Sequence, residues 1–302
     1  MPKVAVIIPT CNRSAFLKRA IESVCAQTYT DYEIIVVDDA STDDTPEVVA
    51  QFRDKPIQYI RHEENKGGSA ARNTGITHSQ SEYIAFLDDD DEWLVTKLGL
   101  QVALLDSSSE RVGIVYTGNQ TIDRATQKVR AIQRPTKRGD LSNDLMRYNP
   151  VGPTSSTLIR RKCFEEVGMF DESLPSFQDY DVWIRISAKF YFECISLPLL
   201  KYYAHDHKIW SNPDALNKGI QLMWKKHGAS GNGLGKNLSQ QLLVVGVMYC
   251  MTGNPSKGRQ AYLQAIRLDP FEMRNYFNFL LSLLGKENFR RVKKFKKRYF
   301  AI

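Results

Sequence analysis

Five consecutive acidic residues, 88–92, carry the strongest chemical signal in this sequence of 302 residues. They directly follow an apolar run, 83–87, that is typical of a buried strand. Adjacent carboxylates repel one another, so some of them take up protons unless a cation neutralises the run. Carboxylate oxygens are ligands that Mg²⁺ and Mn²⁺ prefer, often together with substrate phosphates. The run therefore indicates a divalent-metal site, and the alternative interpretation is a solvated acidic turn.

Three further polar segments could complete such a site. They are residues 10–13 (Thr-Cys-Asn-Arg), Asp38 with Asp39, and residues 65–69 (Asn-Lys-Gly-Gly-Ser), which lead into a helical pattern bearing Arg72. A glycine-rich turn before a helix can hold an anion. The segment after Asp39 has a second interpretation, since Ser, Thr and Asp are common in turns and at helix N-termini. We expect residues 41–43 to cap a helix while one of the two preceding Asp residues faces a ligand.

Strand-like and helical segments alternate through the first ninety residues. The patterns predict strands over 4–8, 33–37, 57–60 and 83–87, and helices over 14–27, 44–53 and 69–79. Ser14 is the expected N-cap of the first helix. This alternation predicts a mostly parallel sheet of βαβ type, whose ligands bind beyond the carboxyl ends of the strands. The segments that begin at Thr10, Asp38 and Asp88 lie at such ends.

The remaining sequence is less regular. The patterns predict a helix over 93–106, strands and turns over 112–160, a helix over 178–190, strands over 192–203 and a polar, Gly-rich linker over 213–238. Residues 239–285 look all-helical, and one stretch resembles a single tetratricopeptide repeat. The matching positions are Leu242, Gly246, Tyr249, Gly258, Tyr262, Ala265 and Pro270. Since about three stacked repeats are needed for stability, this hairpin should pack on the main domain or on a partner chain.

The last 17 residues, 286–302, form a basic tail. They contain eight basic residues and one acidic residue, and so hold the whole net charge of +7. Phe289, Val292, Phe295 and Tyr299 fall on roughly one helical face. An amphipathic basic helix of this kind can lie on an anionic membrane surface. The alternatives are a solvated tail and a helix that docks on an acidic partner.

Composition excludes several classes of protein. With 42% apolar and 25% charged residues, the chain is typical of a globular protein and has no apolar run long enough to span a membrane. The first residues do not resemble a signal peptide, and the five scattered cysteines contain no C-x-x-C, which argues against a disulfide framework or a zinc site. We therefore expect a cytoplasmic protein. Because the net positive charge comes from one tail, the folded part of the chain is not expected to bind nucleic acid.

Four segments, in this order, resemble family 2 glycosyltransferases, a large group of inverting enzymes with the GT-A fold. The segments are 9–13 (PTCNR), 37–43 (VDDASTD), 65–73 (NKGGSAARN) and 86–93 (FLDDDDEW). The match is close over residues 1–100 and looser to about 212. The resemblance implies an α/β GT-A domain over 1–212 with a mostly parallel central sheet. Its nucleotide-sugar-binding half is 1–110 and its acceptor-binding half is 111–212, followed by the linker 213–238 and a small helical extension, 239–302.

The resemblance also implies a nucleotide-sugar donor and a divalent cation, Mn²⁺ or Mg²⁺. Asp39 would accept a hydrogen bond from the donor's base, the backbone near Pro9 and Thr10 would line the base pocket, and Arg72 would brace it by pairing with a carboxylate. The remaining donor-binding residues would be Asn12, Arg13, Asp38, Lys66, Gly67, Asp88, Asp89 and Asp91. The metal ligands would be Asp90, Asp88 and His205. Trp93 and Trp183 are expected to be packing residues.

The candidate general base lies in residues 177–183, FQDYDVW. Family members usually carry Glu-Asp before the aromatic residue, which places the base at Asp179 and leaves Gln178 as a departure from the pattern. Inversion needs one base on the face opposite the leaving group, and a metal can stabilise the departing nucleoside diphosphate. The developing sugar cation is of the kind met in glycoside hydrolysis. The alternative for Asp179 and Asp181 is N-terminal helix capping.

The resemblance therefore implies a metal-dependent inverting glycosyltransferase that uses a UDP-sugar, the nucleotide being taken from its frequency in the family. Its acceptor would be a glycan or glycolipid in surface-polysaccharide synthesis, reached from the cytoplasmic face of the membrane. The alternative is an inactive transferase-like domain that acts as a binding scaffold through its C-terminal helices, which could also pair two chains. A dinucleotide-binding or Walker-type enzyme is disfavoured because the first loop lacks both glycine motifs. A processive membrane synthase is disfavoured because spanning helices and a Q-x-x-R-W motif are missing.

Overall fold

A computed structural model describes residues 1–204, 212–228, 233–284, 287 and 289 of the chain. These residues form two units. The first consists of Met1–Leu145, Asn149–Ser173 and the described residues of 178–205, and the second of Met146–Tyr148, Leu174–Phe177 and the described residues from 212 onward. This division differs from a single boundary at 212, because two short internal segments group with the C-terminal helices.

The first unit alternates strands and helices. In chain order they are β1 Val4–Thr10, α1 Ser14–Cys25, β2 Tyr32–Asp38, α2 Thr45–Ala50, β3 Ile57–Arg61, α3 Gly68–His78, β4 Tyr83–Phe86, β5 Glu92–Trp93, α4 Lys97–Ser107, β6 Val112–Asp123, β7 Val129–Gln133, α5 Ser142–Arg147, β8 Thr157–Arg160, α6 Arg161–Val167, α7 Gln178–Ser187 and β9 Tyr191–Ala204. The four strands predicted before residue 90 are all present, which confirms the α/β class.

Within the described residues, nine strands form one sheet in the order β3-β2-β1-β4-β8-β6-β9-β5, with β7 paired to β6. The first four strands are parallel, and so are β6 and β9. β8 runs antiparallel to β4 and β6, and β5 runs antiparallel to β9. The register pairs Thr10 with Asp38 and Asp38 with Arg61, so β1, β2 and β3 end side by side.

The core surrounds β1, β2 and β4, whose central residues are buried on both faces, as is usual for parallel strands covered by helices. Helix α1 buries Leu17, Ile21 and Val24 against this sheet, at the spacing that its apolar pattern predicts. Helix α3 comes closer still, because a Cβ on Gly75 would lie only 2.4 Å from Cγ2 of Ile7. A glycine at position 75 therefore lets α3 lie directly on β1. Trp93 and Trp183 are fully buried, as expected of packing residues.

Two helix boundaries differ from the predictions. Helix α1 begins at Ser14 itself, and the backbone N–H of Ser14 donates to Asp43 at 2.9 Å. The predicted N-cap is therefore wrong, since a carboxylate from the loop after β2 satisfies this donor. Helix α4 begins at Lys97 and not at residue 93, because Glu92 and Trp93 pair with β9 as a short strand.

The second unit contains helices α8 Pro213–His227, α9 Leu234–Thr252, α10 Pro255–Leu268 and α11 Met273–Ser282. Much of the predicted linker 213–238 is thus helical. Oδ1 of Asn212 accepts hydrogen bonds from the N–H groups of Asp214 and Ala215. Pro213 occupies the first helical position, where a backbone N–H would have no partner within the helix. None of the described helices has the length and apolarity that crossing a membrane requires.

Helices α9 and α10 pack closely through two glycines. A Cβ on Gly246 would lie 2.3 Å from the ring of Tyr262, and a Cβ on Gly258 would lie 2.5 Å from Sγ of Cys250. Both glycines belong to the tetratricopeptide-like pattern, in which small residues allow such approach. The repeat itself stays a prediction. The residues of the basic tail lie outside the described part of the chain, except for 287 and 289.

Candidate active site

Polar residues meet where β1, β2 and β4 end. The N–H of Asp39 donates to the carbonyl of Thr10 at 2.9 Å, which fixes the two loops against each other. Asn12 adds a second link, because its Oδ1 accepts from the N–H of Thr42 at 2.7 Å. Asn12 and Ala40 both have a positive φ, at 52° and 61°. Non-glycine residues rarely adopt this conformation, and it is concentrated at functional loops.

Asp38 and Asp39 have different environments. Asp38 is fully buried, and its two oxygens accept hydrogen bonds from the N–H of Ser41 at 2.8 Å and the hydroxyl of Tyr59 at 2.5 Å. These bonds close the turn after β2 and tie it to β3. They favour a structural role for Asp38 rather than the donor-binding role that the resemblance implies. Half-buried Pro9 and buried Thr10 lie on the neighbouring strand end.

Asp39 faces the glycine-rich segment. Its carboxylate accepts from the N–H of Lys66 at 2.8 Å and from the N–H of Gly67 at 2.7 Å. Gly67 has a φ of +88°, which favours glycine at this turn before α3. The side chain of Lys66 is exposed, so the backbone of this residue, and not its ammonium group, holds Asp39. The predicted anion-binding turn therefore binds a carboxylate of the chain itself.

His62 is a site residue that the sequence analysis missed. Its Nδ1 lies 2.8 Å from Oδ1 of Asp39, and its Nε2 lies 2.9 Å from the hydroxyl of Thr74 on α3. An ionised carboxylate can only accept, so Nδ1 carries the proton in this contact. His62 directly follows β3, the neighbour of β2 in a parallel sheet. Its position at a strand end is the signal that could have identified it.

Asp89 points into the protein. It accepts from the hydroxyl of Thr10 at 2.8 Å and from Nη1 of Arg13 at 3.1 Å. Burial raises the pKa of Asp89 to about 7, and the charge of Arg13 opposes this shift. Asp89 thus links the end of β1, the start of α1 and the acidic run. This geometry favours a positioning role for Asp89 over direct contact with a donor.

Asp88 and Asp90 flank this link. Nη2 of Arg72 donates to Oδ1 of Asp88 at 2.6 Å, so the expected pairing of Arg72 with a carboxylate is present. Arg13 lies 3.4 Å from Oδ2 of Asp90, and Arg19 donates to the Asp90 carbonyl at 3.0 Å. The chain's own arginines therefore neutralise much of the acidic run.

The other two acids of the run are Asp91, which is buried, and Glu92, which contacts β9. Asp91 is fully buried, and its N–H donates to the carbonyl of Asp88. Glu92 accepts from Lys201 at 2.5 Å and from the hydroxyl of Tyr203 at 2.9 Å, which joins β5 to β9. Arg19 stacks on the ring of Tyr203, with its guanidinium carbon 3.8 Å from the ring centroid.

Among the residues that the structure describes, no three His, Cys, Asp or Glu side chains are placed to hold a metal ion together. Mg²⁺ sites commonly use one or two carboxylates and complete their shell with water and substrate phosphates. Asp88 and Asp90 supply oxygen donors of that kind. His205, the third expected ligand, lies outside the described residues.

Asp179 lies in the first turn of α7, and its Oδ1 accepts from the N–H of Tyr180 at 2.7 Å. Burial raises the pKa of Asp179 to about 6. Nearby charges act on it in opposite directions, since Arg72 lowers the pKa and Asp88 raises it. The structure thus brings the candidate base within electrostatic reach of the acidic run, 91 residues away in sequence. Asp181 differs, because it is fully buried and pairs with Arg185 at 2.9 Å.

The family model described as "Glycosyl transferase family 2" matches residues 5–168, just over half of the chain. The chain belongs to this glycosyltransferase family. An uncharacterised glycosyltransferase of Rickettsia bellii is 33% identical over an alignment of 241 residues that covers 74% of this chain and 33% of the relative. The chain thus spans about a third of that relative's length.

Two further similarities concern named glycosyltransferases. The Escherichia coli enzyme named UDP-Glc:alpha-D-GlcNAc-diphosphoundecaprenol beta-1,3-glucosyltransferase WfgD is 31% identical over 183 residues, covering 61% of this chain and 69% of the enzyme. A crystal structure of S. aureus TarS 1-349 in complex with UDP-GlcNAc has a TM-score of 0.65 at 17% identity, covering 96% of this chain and 92% of that one. At this identity the likeness to TarS supports the fold alone, and it agrees with the α/β architecture predicted for a family 2 glycosyltransferase.

Proposed function

We propose that this glycosyltransferase moves a sugar from a nucleotide-sugar donor to a hydroxyl acceptor with inversion, and that Asp179 is the general base. The observation that carries the proposal is the electrostatic linkage of Asp179 to Arg72 and Asp88. A base near the acidic run can act on an acceptor while the run faces the donor. A pKa of about 6 leaves most of Asp179 ionised at neutral pH, yet basic enough to take a proton.

The donor is proposed to be a UDP-sugar. Support comes from the name of WfgD, which specifies UDP-Glc. In this chain, Asp39 would accept from the base of the nucleotide. The N–H groups of Lys66 and Gly67, together with His62, already fix the orientation of this carboxylate. The orientation of the Asp39 carboxylate is therefore set before a ligand arrives.

We further propose that Asp88 and Asp90 hold Mn²⁺ or Mg²⁺ together with the donor's diphosphate. When bound, such a cation would stabilise the charge that develops on the leaving diphosphate. Arg13 and Arg72 lie against the same carboxylates. Asp179 would take the proton of the acceptor hydroxyl as that oxygen bonds to the anomeric carbon and the bond from this carbon to the diphosphate breaks. The products are an inverted glycoside and a nucleoside diphosphate.

The acceptor is proposed to be a lipid-linked glycan of surface-polysaccharide synthesis. The name of WfgD specifies a diphosphoundecaprenol-linked sugar as its acceptor. A lipid-linked acceptor would place the protein at a membrane surface, in keeping with the basic tail at 286–302. The C-terminal helices would form a single tetratricopeptide-like unit.

Calorimetric titration with UDP, GDP and dTDP, with Mn²⁺ and with EDTA, tests the donor site. We expect one nucleotide, UDP, to bind in a metal-dependent way, and Asp90→Ala to abolish that dependence. Glu92→Gln is the matched control, since Glu92 belongs to the same run but contacts Lys201 and Tyr203. If the folded protein binds none of the three nucleotides, the proposal fails and the binding-scaffold hypothesis takes its place.

A further inference from the structure

Helix α11 and its flanking residues expose a row of large apolar side chains. Phe271, Met273, Phe277, Leu280 and Leu283, together called the α11 face, are each more than half exposed. Met273, Phe277 and Leu280 follow the i, i+4, i+7 spacing that places side chains on one side of a helix. A contiguous apolar surface of this kind marks an interaction site more often than scattered exposed residues do.

The opposite side of α11 is polar and buried. Asn275, Asn278 and Ser282 are all less than a tenth exposed. Nδ2 of Asn275 donates to the hydroxyl of Ser239 on α9 at 2.9 Å. A surface helix normally turns its apolar side to the core and its polar side to water. In α11 three of the four buried residues are polar, Leu281 being the fourth, while the large apolar side chains of the α11 face stay exposed.

The net charge of the sequence that contains the α11 face indicates the kind of partner it fits. Residues 234–302 contain thirteen basic and three acidic residues, a net charge of +10, so residues 1–233 together carry −3. Eight of the thirteen basic residues come directly after the α11 face, in residues 286–302. Two copies of so basic a region would repel each other, which argues against a symmetric contact between chains. An anionic surface that also accepts apolar side chains is complementary to both the positive charge and the apolar α11 face.

We propose that the α11 face docks on an anionic lipid bilayer. Interfacial protein segments insert large apolar side chains at the boundary between headgroups and acyl chains, while neighbouring Lys and Arg residues attract anionic headgroups. The α11 face supplies the apolar part and the sequence that follows it supplies the charge. The inference is independent of transfer chemistry, because docking needs neither a donor nor a base.

Vesicle co-sedimentation of the full 302-residue chain tests this proposal. The vesicles are phosphatidylglycerol–phosphatidylcholine mixtures, with pure phosphatidylcholine as the uncharged comparison. We expect the wild type to bind the anionic vesicles at least tenfold more strongly than the uncharged ones. Phe277→Gln with Leu280→Gln should weaken anionic binding at least tenfold. The matched control is Val244→Gln with Leu263→Gln, which changes two about half-exposed apolar residues of α9 and α10 and should alter binding less than twofold.

Three results would overturn the proposal. The first is a wild type that does not bind anionic vesicles. The second is equal binding by the α11 variant and its control, which would assign binding to the basic segment alone. The third is a wild-type dimer, detected by analytical ultracentrifugation, that the α11 substitutions dissociate while vesicle binding is unchanged; the occupant would then be a second copy of the chain. Circular dichroism checks that both double variants are folded, and all four substituted side chains are solvent-exposed.

Discussion

The guanidinium of Arg72 donates a hydrogen bond of 2.6 Å from Nη2 to Oδ1 of Asp88. The same positive charge lowers the pKa of Asp179, against the larger effect of burial. One arginine on α3 therefore serves two carboxylates from different parts of the chain. It pairs with Asp88 on the donor side and lowers the pKa of the proposed general base.

Arg72→Met should shift the pH dependence of transfer. The base is active when ionised, so kcat/KM rises with pH through the pKa of Asp179, about 6. Removing the arginine takes away a favourable charge and leaves Asp88 unopposed, and both effects raise that pKa. The acidic limb of kcat/KM should move up by roughly one pH unit or more. Arg13→Met, which removes contacts to Asp89 and Asp90, is the control and should lower activity with little movement of the limb. If the acidic limb of kcat/KM does not move in Arg72→Met, Arg72 does not influence the pKa of the base.

Asp38 and Asp39 should respond differently to the same isosteric change. Asp39→Asn should weaken UDP binding about 10- to 100-fold, the range expected when a hydrogen bond to a charged group is lost. Asp38→Asn should instead lower the free energy of unfolding by about 1–3 kcal/mol, since it disturbs buried bonds to Ser41 and Tyr59. Calorimetry and thermal melting of both variants measure the two effects. Equal loss of nucleotide affinity in both would show that Asp38 also faces the donor.

His62 should act on the donor through Asp39. Asn at position 62 can place its amide nitrogen near the position of Nδ1 and keep the bond to Asp39, whereas Gln reaches the position of Nε2 and keeps only the contact to Thr74. We expect UDP affinity to fall less than about threefold in His62→Asn and about tenfold in His62→Gln, the value of one hydrogen bond to a charged group. The donor KM should follow affinity while kcat changes little. Equal affinities in the two variants would contradict a positioning role.

The sequence predicted which strand ends form the site better than it predicted the contacts between the side chains there. Strand ends place Thr10, Asp39 and Asp88 at one edge of the sheet, and the pattern of apolar runs is sufficient to find those ends. The pattern does not show which carboxylates turn inward. Asp89 is buried against Thr10 and Arg13, and Asp38 is buried against Tyr59, because of contacts between segments that lie far apart in the chain.

The predicted linker was in error for a local reason. Glycines near residues 228–235 suggested irregular structure across the whole of 213–238. The sequence also contains helix-starting residues, Asn212 and Pro213, and the apolar positions Leu216, Ile220 and Met223 at helical spacing. These residues form α8. The burial of three polar residues of α11 could not be predicted either, because the partner of Asn275 is a serine 36 residues earlier.

Lys97 gives a prediction about stability that does not involve the site. It is fully buried, its Nζ donates to Gln101 at 2.6 Å, and burial lowers its pKa well below the usual 10.5. The unfolded chain therefore binds one more proton than the folded protein between the lowered pKa and 10.5, so the free energy of unfolding should fall as pH decreases through this interval. Lys97→Met should raise that free energy near pH 7 by roughly 1–3 kcal/mol and flatten its pH dependence.

Urea unfolding at several pH values measures the effect of Lys97→Met. The control is Lys189→Met, since the side chain of Lys189 is about half exposed. That variant should leave the pH dependence unchanged. If the free energy of unfolding depends on pH in the same way in the wild type and in Lys97→Met, the buried lysine keeps its proton in the folded protein.

Turnover by Asp179→Asn tests the proposed mechanism most directly. Nucleoside diphosphate release is measured with a UDP-sugar and a diphospholipid-linked acceptor, alongside calorimetric affinity for UDP. Loss of the base should lower kcat about 10²- to 10⁴-fold while UDP affinity stays within about threefold of the wild type, and Asp179→Glu should restore part of the rate. Turnover by Asp179→Asn within tenfold of the wild type would contradict the assignment of Asp179 as the base.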